Sequence, residues 1–179
     1  MEKFLNDEHK ANTSRARPVE PEFFYTPDLD TLPFRDNAEG DIAKEQERLS
    51  KAAQLKMVKF PKKMTNLELK SAYGLANLEI VTGYEENYSR YISILIDWAV
   101  ALLDHGGSAE KEDAIRLLEK AIELGSGYRK SYLLLADHYA SRSDAEAMNH
   151  LLDRISETFS DEGIKQQLTK HIMELKENF

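Results

Sequence analysis

The side chains of this 179-residue chain that could do chemistry are few and scattered. The histidines are His9, His105, His138, His150 and His171. None lies in a His-Glu-x-x-His pattern or at another ligand spacing, so no metal site is expected. His138 sits beside Asp137 one turn from Leu134, where a solvated helical imidazole is the simpler reading. Glu85-Glu86 and the pair Glu110, Glu112 are adjacent carboxylates of the kind that share a proton, but they fall at helix starts. There they complement the helix dipole. No Gly-x-Ser-x-Gly elbow or glycine-rich phosphate loop occurs, and Gly106-Gly107 reads as a turn. There are no cysteines, which removes thiol nucleophiles, thiolate metal sites and disulfides. The sequence therefore predicts no enzyme, no metal and no cofactor.

The charged residues are more suggestive. Lys and Arg total 24 against 32 Asp and Glu, a net charge of −8 that disfavours a phosphate backbone, so no nucleic-acid partner is expected. Against this average, residues 44–63 hold seven basic and two acidic residues. Arg48, Lys51, Lys56, Lys59, Lys62 and Lys63 form this basic patch, with Leu55, Met57, Val58 and Phe60 between them. A solvated face is one reading; contact with an acidic partner or an anionic membrane surface is the other. Low aromatic content argues against stacking on single strands.

The elements that position these residues are helical. Residues 1–38 read as an extended tail, because Pro18, Pro21, Pro27 and Pro33 interrupt every helical window. Within it, residues 21–34 are aromatic and acidic. They read as a strap packed on the domain, as a linear motif for a partner, or as a disordered segment. From residue 39 onward the periodicity predicts helices over 41–58, 65–81, 84–104, 110–124, 126–141, 144–159 and 162–177. Thr65 with Glu68 forms a capping box, Thr82-Gly83 reads as a stop, and Ser108, Ser143 and Asp161 read as caps. Tyr84, Tyr88 and Tyr91 fall on one helix face. No strand alternation is visible, so the fold class is all-α. The two Asn-x-Ser triplets, at Asn12 and Asn87, read as chance.

An internal repeat organises the C-terminal half. Tyr132, Leu135, Ala136 and Tyr139 on one helix precede Ala147 and Leu151 on the next. Upstream, Leu95, Trp98, Ala99 and Leu102 precede Ala114, Leu118 and Ala121. The offsets are 37 and 33 residues, near the period of about 34 of a helix-pair array. Over residues 91–159 this pattern resembles the tetratricopeptide repeat. Arg154 stands where that pattern has a small residue, and the helix-ending proline is missing. The resemblance implies a solenoid of antiparallel helix pairs with flanking helices as caps, the last of them 162–177.

The resemblance also implies a function: a non-enzymatic scaffold holding a peptide or partner helix in a groove lined by first helices. The matching positions are Ser93, Ile96 and Val100, then Lys130, Leu133, Asp137 and Ala140. Ile96 and Val100 fit equally well in the core. Arg129 and Lys130 would suit a carboxylate. The alternative function is a peripheral component of a membrane or other anionic surface, held by residues 44–63. The polar start, Met1 to Lys10, lacks an apolar signal region, so a cytoplasmic protein is expected, with membrane association if an anchor precedes Met1.

Overall fold

The computed structural model describes residues 8–178, and the reading of residues 1–7 and 179 lies outside them. Helices dominate: α1 (Gly40–Ala53), α2 (Asn66–Tyr73), α3 (Leu78–His105), α4 (Ser108–Glu123), α5 (Arg129–Ser141), α6 (Ala145–Thr158) and α7 (Glu162–Lys176). Two-residue strands β1 (Phe24–Tyr25) and β2 (Met57–Val58) pair antiparallel, Phe24 opposite Val58. The fold is all-α, with this one small ladder among the described residues. The chain divides into two compact units, Met1–Leu29 with Ser50–Tyr91, and Asp30–Leu49 with Ile92–Phe179.

In the first unit the strap and the basic segment are built together. Leu69, Tyr73 and Val81 form a core that Val19, Phe60, Met64, Ala72 and Leu78 cover. Burial along residues 23–27 alternates, as extended backbone requires. Phe23 packs edge-on against Phe60, Phe24 against Tyr84, and Tyr25 against Tyr88. The tyrosine stripe of α3 is thus the seat of Phe24 and Tyr25. The Lys59 amide donates to the Phe23 carbonyl at 2.9 Å, extending the ladder.

Several expected boundaries change here. The first helix stops at Ala53 rather than continuing to residue 58, because residues 57–58 pair with the strap. Thr65 and Glu68 do form the capping box that starts α2. The helix ends at Gly74, not at Gly83. Gly74 has φ +82°, and a Cβ there would stand 2.8 Å from the Ala16 backbone. Gly83 lies inside α3, which runs through Thr82-Gly83 unbroken. A mid-helix glycine costs about 1 kcal/mol, less than burying the flanking Val81 and Tyr88 returns.

In the second unit Trp98 is fully buried, with the Phe34 ring 4.9 Å from it. Arg35 reaches Glu110 and Asp113 near the start of α4, at 2.6 Å for Asp113. The carboxyl of Glu110 lies below its ordinary value, through a backbone N–H first and Arg35 second. Helix α5 packs against α4, α6 and α7, and α6 against α7. Ala114, Ala121 and Ala136 are completely buried where the helices approach, and Leu117, Leu118, Tyr132 and Met148 fill the space between. The start of α4 is capped by Gly107, with Ser108 already helical. Asp144, not Ser143, caps α6 by accepting from the Ala147 amide, while Ser143 takes a left-handed φ of +51°. Asp161 caps α7 as expected.

Candidate functional site

Two concavities of the second unit flank helix α5. At about 100° per residue, Lys130, Leu133 and Asp137 fall on one side of α5, and Leu135 and Tyr139 on the other.

On the first side, Tyr128, Arg129, Lys130 and Leu133 meet Gln167 and Leu168 of α7 around a shallow depression of about 560 Å³. Tyr128 and Leu133 are exposed large apolar side chains. Ser126 shapes the approach to α5. Its buried hydroxyl accepts from the Tyr128 amide at 3.2 Å, and its carbonyl accepts from the Tyr132 hydroxyl at 3.1 Å. Arg129 donates to Gln167 at 3.0 Å, tying the two helices, while Lys130 stands exposed. Asp137 lies further along the same side, its Oδ1 3.5 Å from His171 Nε2.

The structure therefore brings together Arg129, Lys130 and Leu133 of the expected groove. Ile96 does not belong with them: it is packed into the core and does not line this depression. Ser93 and Val100 are half-buried on α3, outside this depression. Tyr128, Gln167 and Leu168 are the contributions that sequence reading missed. The first precedes the helical repeat, and the others lie on a helix read only as a cap.

On the other side of α5 is a larger cleft of about 850 Å³, walled by α4 and α6. Ile122, Leu135, Ala147 and Leu151 give it an apolar lining, and Arg116, Glu119, Lys120, Glu146, His150 and Arg154 a charged one. Arg154 reaches across to α4, where Nη2 donates to the Ile122 carbonyl at 3.1 Å. It also pairs with Glu157 at 2.7 Å. The Tyr139 hydroxyl donates to Glu119 at 2.8 Å, and burial, then this bond, pushes the phenol well above its ordinary range. Burial, then Arg142, holds His138 below the ordinary imidazole value. The departure of Arg154 from the small-residue pattern was the signal for this cleft.

The basic patch is divided between uses. Arg48 pairs with Glu45, and with Asp97 at 3.2 Å, both in the second unit. Lys62 pairs with Glu68 at 2.8 Å. Lys51, Lys56, Lys59 and Lys63 are exposed. Among the described residues no group of three or more His, Asp or Glu side chains converges as metal ligands would, and no helix is long and apolar enough to cross a membrane. Of the remaining histidines, His105 Nδ1 lies 2.7 Å from the Ala101 carbonyl.

Comparison with family models, with curated proteins and with solved structures finds no match to this chain.

Proposed function

We propose that the second unit is a non-enzymatic interaction module, a tetratricopeptide-like stack of helix pairs that seats an extended acidic and apolar peptide on the α5–α7 depression. The observation that carries this reading is the convergence of the exposed Tyr128 and Leu133 with Arg129 and Lys130 around one hollow, with the buried Leu168 at its floor. Apolar walls supply the burial, and the two cations favour a peptide carboxylate. The packing of α4 on α5 and of α5 on α6 and α7, with fully buried alanines between, supports the helix-pair reading.

The test is an NMR titration of the isotope-labelled protein with a pool of short peptides combining Asp or Glu with Leu or Phe. Amide shifts at Tyr128–Leu133 and at Gln167 and Leu168, lost in Lys130→Glu, are expected. Shifts confined to Glu119, Tyr139 and His150 would move the binding site to the larger cleft. No shifts anywhere would defeat the reading.

A further inference from the structure

Within the second unit, three helices together hold one dipeptide of the chain's own N-terminal segment. Pro33 bends that segment, with the Phe34 amide donating to the Leu32 carbonyl at 2.8 Å. The Phe34 ring then meets the fully buried Trp98 of α3, 4.9 Å away. The Arg35 guanidinium donates through Nη1 to Glu110 and through Nη2 to Asp113, the latter at 2.6 Å, both on α4. Gln46 of α1 reads the main chain of the same residue. Its Oε1 accepts from the Arg35 amide at 3.3 Å, and its Nε2 donates to the Arg35 carbonyl at 3.1 Å. Ring, cation and main chain are each matched by a different helix. Main-chain hydrogen bonds joined to side-chain selection are how protein surfaces choose a peptide segment. The holders are fixed and the held segment is lightly tied. No side chain from Asp30 to Asp41 is buried, and Phe34 keeps 37% of its surface exposed. A segment that buries so little opens at low free energy while the helices stay folded.

We infer that Gln46, Trp98, Glu110 and Asp113 form a recognition site for an aromatic–arginine pair on a partner polypeptide, which Phe34 and Arg35 fill as an intramolecular blocker. The two carboxylates select a cation, and they favour arginine over lysine because its planar fork reaches both at once. The same two charges repel anionic lipid and nucleic acid. A tethered segment acts at an effective concentration on the order of millimolar. The site therefore passes to a partner only when that partner's pair binds more tightly than the resident one. A second copy of the chain, offering the identical pair from solution, does not displace it. The site shares no lining residue with the α5–α7 hollow, so the inference does not rest on the peptide reading given above.

The experiment uses the full chain carrying Phe34→Ala with Arg35→Ala, a synthetic peptide of residues 28–39, and the emission of Trp98, the only tryptophan. Emission of the double variant should shift to the red as the indole loses its cover, and the peptide should reverse that shift. A peptide with Arg35→Glu should bind roughly tenfold more weakly or worse, the loss of a charged hydrogen bond. A peptide with Phe34→Ala should leave the emission red-shifted. The wild-type chain should not respond to micromolar peptide, because its own segment holds the site. No response of the double variant to the native peptide, or an equal response to the Arg35→Glu peptide, overturns the inference. So does a wild-type response as strong as the variant's, since the segment would then block nothing. If the double variant does not fold, amide exchange of the wild-type protein carries the test. The amides of Phe34 to Ala38 should exchange faster than those inside α1 and α4, and exchange only in step with those helices would overturn the opening that the site requires.

Discussion

Nη2 of Arg154 on α6 donates to the carbonyl oxygen of Ile122 in the last turn of α4 at 3.1 Å, across the wall of the cleft between these helices. A helix end leaves its final carbonyls without intrahelical partners, and a guanidinium is a strong donor to them. Arg154→Ala is expected to destabilise the protein by about 1–2 kcal/mol, the range for a partly buried charged hydrogen bond. Arg154→Met, which keeps the stem, should recover part of that loss. Urea unfolding of the three proteins measures both.

The two glycines of residues 66–105 should respond with opposite sign. Gly74→Ala places a Cβ 2.8 Å from the Ala16 Cα in a backbone with φ +82°. The loss should be about 2–4 kcal/mol, combining left-handed strain with a backbone clash. Gly83 has open space around a Cβ, so Gly83→Ala should stabilise α3 by up to about 1 kcal/mol. Thermal unfolding of the single variants separates them.

Glu68 gives α2 a pH dependence. Lys62, then the Thr65 backbone N–H and hydroxyl, hold its carboxyl at about 2, against an ordinary 4.5. A lowered folded value means the stabilisation is complete above 4.5 and is lost as pH falls toward 2. The group is solvent-exposed, so the effect should shrink with salt. In Glu68→Gln the midpoint temperature should fall less steeply over that acid range than in the wild-type protein, as followed by circular dichroism.

Tyr132 is fully buried, and its hydroxyl donates to the Ser126 carbonyl at 3.1 Å. Tyr132→Phe should cost about 1–2 kcal/mol, because the change leaves a buried carbonyl short of a donor. The same bond holds the loop before α5, so amide exchange at Gly127 and Tyr128 should quicken in the variant.

What could be read from the sequence was what depends on neighbours along the chain. The Thr65–Glu68 box, the Asp161 cap and the apolar stripes of α4 to α7 are settled within a turn or two. Gly83 misled because a glycine looks the same locally whether it ends a helix or sits inside one. The tyrosines on either side of the true break decide the matter, through contacts with a strap some 60 residues earlier. Gly74 passed unnoticed because its requirement is set by the backbone of Ala16. The strands β1 and β2 are too short to show alternation at all. At the site, Arg129, Lys130 and Leu133 were visible as outward positions of one helix. Gln167 and Leu168 were not, because only the packing of α7 on α5 brings them there. Ile96 shows the reverse: a repeat position whose exposure depends on what covers it.

The strap also sets an order of events during synthesis. Phe24 and Tyr25 leave the ribosome well before β2, and about 60 residues before Tyr84 and Tyr88, their seats on α3. At about 5–20 residues per second the aromatic ribbon waits several seconds for its cover. Its docking joins residues far apart in sequence, which makes it a late and slow contact. A nascent chain halted before residue 84 would hold Phe60, the partner of Phe23, but would leave the Phe24 and Tyr25 rings without their seats.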